Sequence, residues 1–374
     1  MTSDEQLIAA VGLGGVILKK ADTYRVEPIL WLWPGWVARG KIHILAGATG
    51  TGKTNLAMGF AAAVTRGAAW PDGALAEQGD VVIWSGEDDP ADTLIPRLMA
   101  ADADLKRIHI IAGAMDEGDE RSRPFDPASD MELLHDQIAL MKPAPALLIV
   151  DPIVSAVAGD SHKNGEVRRA LQPMVDLAMT RKIAVLGISH FSKSTAGRDP
   201  VERVTGSLAF GALARIVLAA AKLGKEQGGG HILARGKSNI GNDEGGFKYD
   251  LDIVEVLPGV ETTRVLWGEP VNGTAREILG QAEAVEDPEE RSAWQEARDW
   301  LHDTLANGPM KASDVMKAAR ADGITDKCLR VAREKMGIKP YKEKLALHGK
   351  WLWNLPENPK MPFEEEDAQD AQKN

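Results

Sequence analysis

The stretch "KIHILAGATGTGKTNLAMGFAAAV", residues 41–64, decides how the chain is read. Its centre, Gly47-Ala48-Thr49-Gly50-Thr51-Gly52-Lys53-Thr54, meets the pattern G-x-x-x-x-G-K-[ST] at every fixed position. The apolar run Ile42 to Ala46 predicts a buried strand, and Asn55 to Arg66 predicts a helix. Glycines between a strand and a helix let backbone N–H groups turn inward at the positive end of the helix, which makes a cradle for phosphate oxygens. In such a cradle Gly47 through Asn55 contact a nucleotide, Lys53 reaches its β- and γ-phosphates, and the Thr54 hydroxyl sits on Mg²⁺. A Gly-rich turn with an incidental lysine is the bland alternative, and the strand–loop–helix setting argues against it.

The 374 residues suffice for two domains, and 44% hydrophobic with 26% charged residues is the balance of a soluble globular protein. A formal charge of -11 excludes a nonspecific polycation and leaves local basic patches open. Cys328 is the single cysteine, so no intramolecular disulfide forms, and a reducing cytoplasm fits. The apolar run "LIAAVGLGGVIL" (7–18) follows Asp4 and Glu5 and is too short to span a bilayer. Residues 1–24 are therefore expected to form a packing or subunit-contact segment, with no membrane partner.

Beyond the phosphate loop the chain alternates. Strands are expected at 80–85, 107–112, 146–151 and 183–189, and helices at 90–101, 130–141 and 165–181. Asp89 is the N-cap of the first of these helices and Pro90 its first residue. This alternation predicts an α/β fold with a central, mostly parallel sheet covered on both faces. From "ARIVLAAAKL" to "TTRVLWG" (through 268), consecutive strands with Gly-rich turns predict an antiparallel extension of that sheet. The ATPase-like domain is bounded at 25–268. Residues 269–290, with Pro, Gly, Glu and Asp, read as a linker. Residues 291–356 read as three short helices and a hairpin turning at His348-Gly349, a small winged helix-turn-helix domain, and 357–374 as an acidic disordered tail.

Three polar residues at strand ends are candidates for chemistry. "ALLIVD" puts Asp151 at the carboxyl end of a buried strand, where a carboxylate holds Mg²⁺; capping before Pro152 is the alternative. Glu87, in "VVIWSGEDDP", is placed to orient or deprotonate an attacking water, whereas Asp89 better suits helix capping. His190 ends the next strand and is either a γ-phosphate contact or a satisfied core histidine. The following loop, 192–206, carries Lys193, Arg198 and Arg203 among Ser, Thr and Gly, and suits single-stranded nucleic acid or plain solvent. The loop at 157–166 is a weaker candidate of the same kind.

The segments "LAGATGTGKT", "SGEDDP", "LLIVDP", "VLGISHFSK", "GSLAFGALARIVLA" and "ARGKSNIG", in this order, resemble the RecA-like hexameric ATPases. They are most similar to the plasmid- and phage-encoded RepA helicases, relatives of the DnaB-type replicative helicases, over about residues 25–268. The resemblance implies a ring of six subunits with ATP and Mg²⁺ at each junction, and Lys53, Thr54, Glu87, Asp151 and His190 acting in cis. It also implies Arg215 as a trans-acting arginine finger and Lys237 as a second trans cation. From the residues alone, Arg215 is equally a structural cation at a strand start. A DnaB-like N-terminal primase-binding domain is not found, and the C-terminal winged segment is absent from the smallest plasmid helicases.

Residues 291–356 hold thirteen Lys and Arg against eight Asp and Glu, a local net of +5 in an acidic chain. "DKCLRVAREK" would be a recognition helix presenting Lys327, Arg330, Arg333 and Lys335 to a groove or phosphates. Docking of replication proteins is the competing use of that surface. The expected function is an ATP-driven helicase on single-stranded DNA in replication of a plasmid, phage or integrated element. A RecA/RadA-like recombination ATPase and a nucleotide-switched winged-helix regulator are the alternatives.

Overall fold

The apolar runs read above become neighbouring strands of one sheet. The computed structural model describes residues 16, 18–118, 121–158, 163–191, 203–204, 208–224, 229–283, 297–298, 300–302, 304–305, 308–322, 324–342 and 351–355. The chain divides into two units, Met1–Ala284 and Val285–Asn374.

The first unit begins with a small hairpin, β1 (Trp31–Trp33) and β2 (Val37–Ala38), followed by β3 (Ile42–Gly47) and α1 (Lys53–Arg66). Next come β4 (Val81–Ser85), a wide helical turn Pro90–Leu94 running into α2 (Ile95–Ala100), and β5 (Ile108–Ile110). A two-stranded ribbon, β6 (Ala114–Met115) with β7 (Ser122–Arg123), precedes α3 (Met131–Leu140), β8 (Leu147–Asp151), α4 (Asn164–Arg181) and β9 (Ala184–His190). The unit ends with α5 (Leu208–Leu213), β10 (Ile216–Lys222), β11 (His231–Ser238), β12 (Glu244–Leu257), β13 (Val260–Thr274) and α6 (Ala275–Glu283).

Nine strands form one sheet in the order β13-β12-β11-β10-β3-β9-β8-β4-β5. From β10 to β5 the neighbours are parallel, and from β10 to β13 antiparallel, as the change of pattern in the sequence predicts. The strand carrying Asp151 is separated from the phosphate-loop strand by β9. Both faces are covered, so strand residues alternate between two cores. Val81 and Ile83 enter the core under α1 and α2, while Val82 and Trp84 enter the one under α3, α4 and α5.

The first core is organised by aromatic rings. Trp33 stacks between Trp36 and Trp70, each with its centroid at 4.7 Å, and meets the edge of Phe60 at 5.4 Å. The buried indoles keep their polar handles satisfied: Trp33 Nε1 donates to Asp72 Oδ2 at 2.9 Å and Trp70 Nε1 to the Leu32 carbonyl at 3.0 Å. Phe60, together with Phe247 at 5.9 Å from Trp33, binds the β1–β2 hairpin to α1 and to β12.

His43, on β3, is a buried tie between strands. The Ala38 N–H donates to its Nε2 at 2.9 Å, which leaves the ring proton on Nδ1 to be donated to the Val185 carbonyl at 3.1 Å.

The expected linker at 269–290 does not hold over residues 269–283. β13 runs on to Thr274, and α6 places Ala275, Ile278 and Leu279 against Ala219, Ala221, Ile232 and Ala234 of the sheet. The signal is a capping box, Thr274-x-x-Glu277. The Thr274 N–H donates to Glu277 Oε2 at 2.8 Å and the Glu277 N–H to Thr274 Oγ1 at 3.3 Å. At the other end, Val16, Leu18, Tyr24 and Val26 are exposed, so the described part of the 1–24 segment and its continuation do not pack on their own core.

The second unit holds β14 (Met310–Lys311), α7 (Ala312–Ala321), α8 (Asp326–Lys335), β15 (Tyr341–Lys342) and β16 (Trp351–Trp353), preceded by helical residues between 297 and 305. Its strands pair antiparallel in the order β14-β16-β15. Leu301, Leu305, Val315, Leu329, Ile338 and Trp353 share its core. Thr325 caps α8 by accepting from the Cys328 N–H at 3.3 Å. The expected turn at His348-Gly349 and the tail at 357–374 lie outside the described residues.

Burial holds the His43 imidazolium pKa down to about 4 from 6.5, so the folded state keeps the ring neutral where the unfolded chain protonates it. The resulting stability is full above pH 6.5 and is lost as pH falls to 4, by about 3 kcal/mol. Urea titrations of wild type and His43→Gln at pH 7 and pH 4 should show the wild type losing more stability by about that amount. Equal losses would contradict this.

Candidate active site

The phosphate loop is held where only glycine fits. A Cβ on Gly47 would lie 2.3 Å from the Ala220 carbonyl oxygen of β10. Gly52 adopts φ +72°, and a Cβ there would meet the Leu251 side chain of β12 at 2.7 Å. The loop is braced within and from outside: Thr51 Oγ1 donates to the Ala48 carbonyl at 2.9 Å, and the Tyr249 hydroxyl donates to the Thr51 carbonyl. Asn55 Nδ2 donates to Thr263 Oγ1 of β13 at 2.7 Å, leaving Asn55 Oδ1 buried without a hydrogen-bond partner. Neither Tyr249 nor Thr263 carries a sequence signal, because a distant hairpin brings them to the loop.

Around this loop lies a cavity of about 260 Å³ lined by Thr49, Gly50, Gly52, Lys53, Thr54, Asn55, Glu87, Arg97, Asp151, Ile188, His190 and Leu251. The five residues assigned to the cis site, Lys53, Thr54, Glu87, Asp151 and His190, thus meet in one place. β-sheet register explains why: Gly47 pairs with His190, and Ser85 with Asp151, so four neighbouring carboxyl-terminal strand ends come together. Ser85 Oγ accepts the N–H groups of Glu87 at 3.4 Å and Asp88 at 3.0 Å, and the Gly86 N–H donates to the Asp151 carbonyl at 2.8 Å. Asp89 caps the next helix by accepting from the Ala91 N–H at 2.7 Å, which separates its role from that of Glu87. Arg97, on α2, was not foreseen; its ion pair with Asp88 places it on the cavity wall.

The buried charges fit a nucleotide with a divalent cation. Lys53 is 6% exposed, and its ammonium donates to the carbonyls of Gly47 at 3.1 Å and Ala48 at 2.9 Å. Burial pulls its pKa down to about 8, against the stabilising charges of Asp151 and Glu87; a phosphate would raise it again and hold the ammonium more firmly. Burial pushes the Asp151 carboxyl up to about 6, opposed by the Thr54 hydroxyl that donates to Oδ2 at 2.9 Å and reinforced by Glu87 and Asp88. Hydroxyl and carboxylate side by side are the hard oxygen donors Mg²⁺ accepts alongside phosphate and water. Among the described residues no group of three or more His, Cys, Asp or Glu could hold a metal by itself, so the nucleotide would complete the set. Burial, with the Lys53 charge, keeps His190 below the usual imidazole range and so neutral near pH 7.

Other expected residues lie elsewhere. Arg215 is exposed at the start of β10, and its N–H donates to the Ile42 carbonyl at 2.9 Å. Ile216 pairs with His43 and Ala220 with Gly47, so Arg215 stands five residue steps, about 16 Å, from the phosphate-loop end of β3. Lys237 turns its ammonium onto main-chain carbonyls at the end of α5. Arg203, expected on a strand-gripping loop, is instead buried with its guanidinium 4.2 Å over the Phe191 ring, because the Phe191–Val204 bridge turns it inward. Lys193 and Arg198 lie outside the described residues. In the second unit Lys327 and Arg330 are exposed, while Arg333 packs over the Trp353 ring at 5.2 Å.

A family profile described as an AAA domain matches residues 13–196. No curated protein matches the sequence. Among solved structures, the RadB recombinase aligns at 17% identity over 58% of this chain and 90% of its own, with a TM-score of 0.39. A KaiC-like protein from Pyrococcus horikoshii OT3 aligns at 16% identity over 63% of this chain and 99% of its own, with a TM-score of 0.42. The profile match and the phosphate loop with its strand-end carboxylates indicate a P-loop ATPase domain of α/β fold. No helix among the described residues is long and apolar enough to cross a membrane.

Glu87→Gln should keep nucleotide affinity and lower the hydrolysis rate about 10²–10⁴-fold, the contribution of a positioned general base. Fluorescent-nucleotide binding beside steady-state hydrolysis checks this, and an unchanged rate would remove Glu87 from the chemistry.

Proposed function

We propose that the chain is a subunit of an oligomeric, Mg²⁺-dependent ATPase that moves on single-stranded DNA, a helicase of the RepA/DnaB type with six subunits. The observation that carries this reading is the position of Arg215, exposed and at the opposite end of β3 from its own phosphate loop. An arginine so placed serves a neighbour's triphosphate, where its charge stabilises the phosphoryl transition state and makes turnover depend on assembly. Glu87 orients the attacking water, Thr54 and Asp151 hold Mg²⁺, and His190 lies where the γ-phosphate ends. The apolar N-terminal segment, whose described part is exposed, supplies contact to another subunit.

The second unit supports a DNA or protein contact of its own. Its order of helix, strand, two helices and two strands supports reading it as a winged helix, with Lys327 and Arg330 exposed on α8. That exposed pair also favours a second reading, a nucleotide-switched regulator that recognises duplex DNA. Sequence-specific footprints without unwinding would support the regulator.

Hydrolysis should rise with single-stranded DNA and with protein concentration through the assembly range, and wild type should displace a strand from a forked duplex while Lys53→Ala does not. A wild type no better than Lys53→Ala in displacement defeats the helicase reading; a hydrolysis rate indifferent to both DNA and concentration defeats the oligomeric motor.

A further inference from the structure

Lys237 resembles a second trans cation, but its surroundings give it another use. α5 ends at Leu213, one residue before Ala214 and two before Arg215, and its last carbonyls need donors. The Ala214 N–H takes the Phe210 carbonyl at 3.1 Å. Lys237 Nζ reaches across from β11 to the carbonyls of Gly211 at 2.8 Å, Ala214 at 3.1 Å and Ala212 at 3.4 Å. Three donors thus meet three acceptors, the full capacity of an ammonium, at the negative end of a helix. Burial and the nearby Arg215 charge hold the Lys237 pKa below its usual range.

The same contacts enclose Arg215. Its N–H is bound to Ile42 on β3, its carbonyl accepts from the Asn239 N–H at 3.0 Å, and Lys237 itself pairs with Val217. The backbone leading into the guanidinium is therefore gripped by β3, by the chain after β11 and, through Lys237, by the end of α5. We infer that Lys237 is a positioning residue that fixes the exit of Arg215 from the amino end of β10, and that it does not itself reach a neighbour's triphosphate. This rests on Arg215 acting in trans. A lysine committed to three converging carbonyls would have to abandon all of them to reach outward, and a planar guanidinium could not replace it there.

A double-mutant cycle separates the two roles. Single-turnover hydrolysis is measured at assembling concentrations for wild type, Arg215→Ala, Lys237→Met and the double variant, with nucleotide affinity measured for each. Lys237→Met should slow hydrolysis about a hundredfold with unchanged affinity, the cost of a displaced catalytic group. Arg215→Ala should slow it about a thousandfold. The double variant should match Arg215→Ala, because a positioning residue has nothing left to position. A double variant slower than Arg215→Ala by the full Lys237→Met factor overturns the inference and makes Lys237 an independent cation. An unaltered rate in Lys237→Met also overturns it. If Arg215→Ala is unimpaired, the trans-arginine reading fails first and this inference falls with it. Should Lys237→Met fail to fold, Lys237→Gln, which keeps two donors, takes its place in the cycle.

Discussion

The close approach of the phosphate loop to its neighbouring strands is the constraint on which the rest of the structure depends. Gly47 lies so near the Ala220 carbonyl, and Gly52 so near Leu251, that neither position has room for a Cβ. That proximity presses the loop between β10 on one side and the β12–β13 hairpin on the other, and Tyr249 pins it through the Thr51 carbonyl. A loop fixed in this way pre-organises its N–H groups, so a phosphate meets donors already aimed, and little ordering cost remains at binding. Lys53 and Asp151, both buried and both carrying charges that burial disfavours, stand where a nucleotide and its cation would supply the missing partners.

The parallel sheet then sorts chemistry by strand end. The carboxyl ends of β3, β4, β8 and β9 deliver Lys53, Glu87, Asp151 and His190 to one cavity, as crevices at the carboxyl ends of α/β sheets generally do. The opposite end of β3 grips Arg215 through the Ile42 carbonyl. One short strand therefore separates a nucleotide pocket from the exposed guanidinium, and a second subunit is the way to bring those chemistries together in the proposed motor.

How much of this was legible follows from the range of each interaction. The phosphate loop, the strand-end positions of Asp151 and Glu87, and the change from parallel to antiparallel strands depend on local pattern, and they stand where alternation and strand-end logic put them; the order of strands across the sheet does not follow from local pattern. The α6 helix was readable from Thr274 and Glu277 but was hidden by the Gly and Pro that surround it. Tyr249, Thr263 and Leu251 could not be assigned, because the hairpin that carries them is some two hundred residues from the loop it braces. Arg203 was misplaced for a related reason: a basic residue in a polar stretch reads as solvated, and only the pairing of Val204 with Phe191 shows that its side chain turns inward. The tryptophans likewise have no visible period, yet Trp33 and Trp36 of the first hairpin meet Trp70 from beyond α1 in the first core.

The central claim is that each ATP is hydrolysed between two subunits, one contributing the pocket and Glu87, the other Arg215. Mixing Arg215→Ala protomers with Glu87→Gln protomers, each inactive alone, tests it most directly. The account predicts that the mixture regains part of the wild-type rate, from junctions pairing an intact pocket with an intact arginine. A mixture as inactive as its components, beside wild-type protein that hydrolyses at full rate when dilute and monomeric, would contradict it.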